Sequence, residues 1–419
     1  MDIRKEPAGS AEKTLTDPPA LLEGIRFFTR ETEILSDLSV ACGDGDRLAC
    51  AMDGETVRES TVFDLASITK LFTGLCLLRL YEDGALDPRR PVAFYDPRFT
   101  HLREASVAEV MTFALSLQTP GRIDACPDRE SGLRCLFGTA SAGVPGPRAY
   151  SDIPAMVLKY VIEAVSGMPM TDCVRELILR PAGMTETWAR VPEERLADVM
   201  DYSGEYRLER GIPRFRPCLP RGVPHDPKAA LLQGDSGDLC GHAGLFSTRN
   251  DLIRFCRAIL SGKIVSPASL QALAVNRTGR PLEGGGFSQY LGILCYVRHP
   301  VQYYSEIPVY MGSRAFGLGG FTGNHLSVDP ERGLFTVFLG NRVKNRLTFL
   351  LPEEGKTLES YGLRADGVGS VVREDGVRVP SSVHYVHQKD AHLHAAVAAV
   401  LGLPEAPFTP APPVPWLRA

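Results

Sequence analysis

Between Phe63 and Leu80 the chain reads FDLASITKLFTGLCLLRL. From Leu71 onward almost every residue is apolar (Leu71, Phe72, Leu75, Cys76, Leu77, Leu78, Leu80). A helix that is apolar on all sides has to be enclosed by the rest of the protein. Two polar residues stand at its mouth: Ser67 and Lys70 are three apart, so on a helix their side chains share one face, one turn apart.

A serine hydroxyl is a weak nucleophile, and a lysine activates it only where the amine is held close and can share its proton. Desolvation at the mouth of a buried helix lowers the cost of a neutral amine. Ser10 and Lys13 repeat the spacing in a polar stretch, so spacing alone identifies nothing; only Ser67 opens an apolar helix. Asp64 is placed to cap that helix.

With 419 residues, 44% of them apolar, the chain can bury one large domain or two ordinary ones. Fifty acidic against 46 basic side chains, without basic runs, give no footprint for nucleic acid. No apolar run approaches the roughly 20 residues of a membrane span. The first twenty residues lack the apolar centre of a secretory signal, and the expected location is the cytoplasm. The ten cysteines are scattered and several fall inside apolar helical runs, which predicts reduced thiols; Cys126 and Cys135 share one Gly/Pro-rich loop.

The expected organisation is a disordered lead-in over residues 1–18, one domain over 19–403 and a Pro-rich tail over 404–419. Within the domain, 19–75 and 241–403 form an α/β part, 76–240 a helical part, and 343–388 an irregular extension. Pro19 to Thr29 reads as a helix, and Leu35 to Cys42 and Arg47 to Met52 as strands about a turn at Gly43 to Gly45. Ser106 to Leu117 reads as a helix and 119–148 as a long aperiodic loop. Helices follow at Ile153 to Ser166, with Asp152 a good N-cap, and at Met170 to Leu179; residues 190–240 read as mostly irregular. After a helix from Asp251 to Leu260, β patterning marks Gly292 to Val297, Ser313 to Gly319, His325 to Val328 and Leu334 to Leu339, and a helix closes at Ala391 to Leu401. Strands at both chain ends and helices between them predict an α+β fold, an antiparallel sheet with terminal helices and an inserted helical subdomain.

Four motifs stand in order: Ser67-Ile68-Thr69-Lys70; Tyr150-Ser151-Asp152 ahead of a helix; Gly-His-Ala-Gly-Leu-Phe-Ser-Thr at 241–248; and Gly-Phe-Thr-Gly at 320–323 before a strand, a turn and a second strand. Together they resemble the serine β-lactamase and penicillin-binding-protein superfamily, in its class C-like, esterase-like branch, over roughly residues 20–342. The resemblance implies acyl transfer without a cofactor or metal. Ser67 would attack a carbonyl, Lys70 and Tyr150 would move its proton, and the backbone N–H groups of Ser67 and Phe321 would hold the oxyanion.

Two departures bear on the substrate. The third motif of the family, Lys-Thr-Gly or His-Thr-Gly, is here Leu318-Gly319-Gly320, without the cation and hydroxyl that contact a substrate carboxylate. Asp152 stands where many members carry asparagine, and a carboxylate beside Lys70 favours its ammonium form and moves the base role toward Tyr150. The expected substrate is a neutral small molecule (ester, lactone or amide) rather than a β-lactam, although Arg314 or Arg342 could restore the charge. Two alternatives stay open: a non-catalytic ligand-binding member, supported by the lost third motif and by Phe113 to Ser116 where His-Thr-Ser-Gly is usual, and acyl transfer or peptidase chemistry of the D-alanyl carboxypeptidase or cyclase type. The oligomeric state is left open.

His242 reads as structural, packing a Gly-rich turn, and His325 as exposed. His384, His387, His392 and His394 match no metal spacing and read as solvated surface. Gly317, Gly319 and Gly323 precede a strand rather than a helix, which excludes a dinucleotide fingerprint.

Overall fold

The strands at the two chain ends pair with each other. Leu38–Asp44 runs antiparallel to Leu334–Gly340, Leu38 opposite Gly340 and Asp44 opposite Leu334. The computed structural model describes residues 18–404 apart from 210, 302–305, 352 and 367–369. The expected lead-in and tail therefore lie outside the described residues, apart from Pro18 and Pro404. The main sheet has six antiparallel strands in the order Tyr296–Val297, Phe316–Gly319, His325–Asp329, Leu334–Gly340, Leu38–Asp44, Leu48–Asp53.

Successive side chains of a strand face opposite ways, and here both faces are covered. Leu38, Val40, Cys42 and Phe338 pack under the terminal helices, against Leu21, Phe28, Leu393 and Val397. Ala41, Phe335, Val337 and Leu339 face the larger core that encloses the helix Thr69–Glu82. Eleven residues of that helix are buried, and Phe72 stacks on Phe255 of the helix Arg249–Leu260 at 4.3 Å. Each buried Leu or Phe contributes about 1.5–3 kcal/mol, so the polar helix mouth is held by a large apolar body. Ile153–Ser166 packs in the same core. No single helix among the described residues is long and apolar enough to cross a membrane.

The segments read as irregular are more ordered than expected. The helix expected over Ser106 to Leu117 is confined to Val107–Met111; it breaks at Phe113, whose φ is 56°, and Leu117–Gln118 instead pairs with Ala140–Ser141. The loop 119–148 contains the helix Arg129–Phe137, which packs on Pro227–Gln233. Residues 190–240 hold that second helix and the hairpin Glu205–Glu209 with Ile212–Arg216. The extension 343–388 is not irregular: Leu347–Leu351 joins that hairpin, and Leu363–Ala365, Ser370–Arg373 and Arg378–Pro380 form a small sheet over a core of their own. In each case short elements interrupted by Pro and Gly are stabilised by distant partners, which local periodicity does not record. Conversely, Gly292 to Val297 narrows to Tyr296–Val297, because Leu294 takes a φ of 51°.

Candidate active site

The nucleophile turn is held from several directions. Phe63–Asp64 pairs with Phe246–Ser247, and the Leu65 N–H donates to the Leu245 carbonyl at 2.9 Å. A 3₁₀ turn, Ala66–Ile68, then leads into the helix. Ala66 has a φ of 47°, a conformation that costs a non-glycine residue of order 1–3 kcal/mol and has to be imposed by its surroundings. Asp64 imposes it. Its buried carboxylate accepts the Ala66 N–H at 2.9 Å and the His225 N–H at 2.6 Å, and its carbonyl accepts from Thr322 Oγ1 and Asn324 Nδ2 at 2.8 and 2.7 Å. Asp64 is therefore not the helix cap expected from its position: the helix begins at Thr69 without a side-chain cap, and Asp64 ties the Ser67 turn to the third-motif segment.

Lys70 is fully buried. Its Nζ donates to Ser67 Oγ at 3.0 Å and to the His242 carbonyl at 3.2 Å, and lies 2.7 Å from Asp152 Oδ1. Burial alone pushes the ammonium toward losing its proton. The Asp152 carboxylate, then the Tyr150 phenol, outweigh burial, and the net direction is up.

Tyr150 is placed by aromatic packing. Its ring stacks on Phe113 at 5.7 Å and Tyr296 at 5.1 Å, and its backbone N–H donates to Gln289 Oε1 at 2.9 Å. The phenol interacts with Lys70 and Ser67; burial raises its pKa, Lys70 opposes this, and the net direction is up.

Asp152 occupies the residue before Ile153–Ser166, yet its side chain makes no cap bond. It pairs instead with Lys70 and, through Oδ2, with Lys228 at 3.1 Å. Burial raises the carboxyl, but Lys70, His242 and Lys228 together bring it down. Lys228 also contacts Asp226 at 3.0 Å, and Asp226 pairs with His242 Nε2 at 2.9 Å. The ligand atoms of Asp152, Asp226 and His242 lie within 4.8 Å of one another, but the Lys228 ammonium bonds both carboxylates, and a metal ion there would have to displace it.

The third-motif strand reaches the nucleophile turn through Gly320. A Cβ added there would stand 2.7 Å from the Leu65 carbonyl oxygen, so only glycine permits the approach. The Ser67 N–H on the 3₁₀ turn and the Phe321 N–H next to Gly320 are the two backbone donors expected to meet an oxyanion. Leu318 corrects an expectation: its side chain is wholly buried in the core and offers the site nothing. Beside Gly319, Glu306 Oε2 lies 3.0 Å from where a Cβ would stand. Of the two candidate cations, Arg314 is exposed beyond the start of the strand, and Arg342 is buried, donating to Ser382 Oγ and the Thr348 carbonyl. Burial pushes Arg342 down to about 10.

His242 is buried and packs the turn, as expected, while also accepting from Lys70. His325 is fully buried rather than exposed, bonded to Ser327 and Lys389. The C-terminal histidines are not solvated surface either: His394 is buried and the other three are part-buried, His392 stacking on Phe27 at 3.6 Å. Sequence reasoning missed Lys228, Asp226, Glu306 and Lys389. Asp226-Pro227 is a helix-start signature, but nothing local shows that it faces Asp152.

A family model described as Beta-lactamase matches residues 31–352. A protein of Escherichia coli K12, provisionally named D-alanyl-D-alanine carboxypeptidase, is 29% identical over 226 residues, 48% of this chain and 51% of its own length; the chain thus spans about half of that relative. Among solved structures, the octameric penicillin-binding protein homologue from Pyrococcus abyssi superposes with a TM-score of 0.59 at 20% identity, over 78% of this chain and 74% of its own. EstCE1, described as a hydrolase with promiscuous acyltransferase activity, gives 0.58 at 19% identity over 77% of this chain and 93% of its own. These structural likenesses speak for the fold. The chain belongs to the Beta-lactamase family and has the β-lactamase fold.

Proposed function

We propose that the chain hydrolyses an ester, lactone or amide through an acyl-enzyme on Ser67, and that the reacting end of its substrate carries no free carboxylate. The observation that carries this reading is Lys70 Nζ, buried and 3.0 Å from Ser67 Oγ. The reacting form is the one in which the Lys70–Tyr150 pair has lost one proton. Ser67 Oγ then bonds to the carbonyl carbon as its proton passes to the pair, and the oxyanion is met by the N–H groups of Ser67 and Phe321. Collapse breaks the bond to the leaving group, which takes that proton; water repeats the sequence and frees the acid. Asp152 and Lys228 hold Lys70 in place.

The substrate preference rests on charge. Leu318 is buried, Gly319 has no side chain, and the guanidinium of Arg342 is directed to Ser382 and Thr348. The name of the E. coli relative supports a second reading, release of a D-alanine that carries a carboxylate. Purified protein is treated with a fluorophosphonate, then assayed on p-nitrophenyl butyrate, nitrocefin and a D-alanyl-D-alanine peptide. One adduct, absent in Ser67→Ala, with fastest turnover of the ester is the expected result. Faster turnover of nitrocefin or the peptide overturns the preference; no adduct overturns the acyl-enzyme and favours a ligand-binding member.

A further inference from the structure

We infer that Glu306 is a specificity residue that selects a substrate with an ammonium group, or another strong hydrogen-bond donor, beside the reacting carbonyl; this rests on the acyl-enzyme reading above. Two observations locate its carboxylate. Oε2 lies 3.0 Å from the Cβ position of Gly319, the residue before Gly320, which itself touches the Ser67 turn through the Leu65 carbonyl. Glu306 also interacts electrostatically with Tyr296, whose ring stacks on Tyr150. The carboxylate thus stands in the space a side chain at 319 would fill, one residue before the glycine that meets the nucleophile turn.

It is held there from behind. Lys389, almost wholly buried, donates to Glu306 Oε2 at 3.0 Å and approaches His325 Nδ1 at 3.1 Å. A carboxylate can accept about four hydrogen bonds, and the lysine uses one. The Glu306 side chain keeps 17% of its surface exposed against 2% for Lys389, so the acid is the member of the pair a ligand can meet. The other nearby cation, Arg342, also interacts electrostatically with Glu306, while its hydrogen bonds go to Ser382 and the Thr348 carbonyl. A ligand beside Gly319 therefore meets a fixed acceptor of negative charge. An ammonium or N–H gains a charge-assisted bond, and a carboxylate meets repulsion.

The test compares kcat/KM for three alanine p-nitroanilides, in D and L forms, that differ only at the amino group: free ammonium, N-acetyl and N-succinyl. The expected order in the native protein is ammonium, acetyl, succinyl, with at least tenfold between the ends. Glu306→Gln should bring the three within about threefold, and Glu306→Asp, which keeps the charge, should restore the order in part. Labelling of Ser67 by a fluorophosphonate asks the same question without turnover: propylammonium should slow it in the native protein and not in Glu306→Gln, and propionate in neither. An unchanged order in Glu306→Gln, or labelling that neither ion slows, overturns the inference while Ser67 still reacts. Absence of labelling altogether marks failure of the acyl-enzyme reading itself.

Discussion

Lys70 Nζ stands closer to Asp152 Oδ1, at 2.7 Å, than to the Ser67 hydroxyl, at 3.0 Å. The amine that would serve the nucleophile is thus first of all half of an ion pair. Burial favours the neutral amine and Asp152 the ammonium, and the carboxylate prevails. Attack on a substrate needs one proton to leave the Lys70–Tyr150 pair, so the rate should rise with pH as that proton is lost. Asp152→Asn removes the larger of the influences that retain it while burial remains, and the rise in kcat/KM should move to lower pH. A rise left in place, or moved upward, would show that Asp152 does not set the protonation of Lys70.

Tyr150→Phe separates the phenol from its packing. The stacks on Phe113 and Tyr296 survive the change, so the Tm should hold within a degree or two. A proton-transferring group typically supplies 10²- to 10⁴-fold, and acylation of Ser67 by an ester should slow by roughly that factor. Loss of less than about threefold would leave proton transfer to Lys70 alone.

Gly320→Ala tests the contact that brings the third-motif strand to the nucleophile. Its Cβ would lie 2.7 Å from the Leu65 carbonyl oxygen, a backbone atom in a segment that Asp64 and Leu245 hold fixed. Overpacking of this kind costs about 1–3 kcal/mol. A displacement near 1 Å between Ser67 and Phe321 should lower kcat by about 100-fold with little change in KM. Calorimetry and steady-state kinetics read the two effects separately.

The fold and the Ser67–Lys70 pair were legible because their signals are local, and the resemblance added Tyr150 and Asp152. The apolar run after Lys70 demanded enclosure, alternating strands at both ends demanded a shared sheet, and Ser67, Lys70, Tyr150 and Asp152 do meet. What escaped depends on contacts between distant segments. Asp152 read locally as a helix cap and, through the resemblance, as a carboxylate beside Lys70; what escaped is its second partner, Lys228, 76 residues away. Leu318 shares a motif position with charged residues of relatives, but strand alternation turns it into the core. Glu306 is thirteen residues before Gly319, and nothing in its neighbourhood announces that its carboxylate returns to the strand. The 343–388 segment looked irregular because its strands are three to five residues long and are supported by the hairpin at 205–216.

Asp226 links the site to stability against acid. Its carboxylate accepts the backbone N–H groups of Lys228 and Ala229 at 2.9 Å, contacts the Lys228 ammonium at 3.0 Å and pairs with His242 at 2.9 Å. Burial raises this carboxyl, but His242 and Lys228 bring it well below the usual range. A group whose pKa is lower in the folded state stabilises the fold above its unfolded value, near 3.9, and loses that contribution as pH falls toward the folded value. Asp226→Asn keeps an oxygen to cap Pro227–Gln233 and removes the charge. At pH 7 the variant should be less stable than the native protein by about 1–3 kcal/mol, and the gap should close below about pH 4. Urea unfolding at pH 7, 5, 4 and 3 measures it. A gap that stays constant down to pH 3 would assign the loss to the cap and its packing, and leave the Lys228 and His242 contacts without a role in stability.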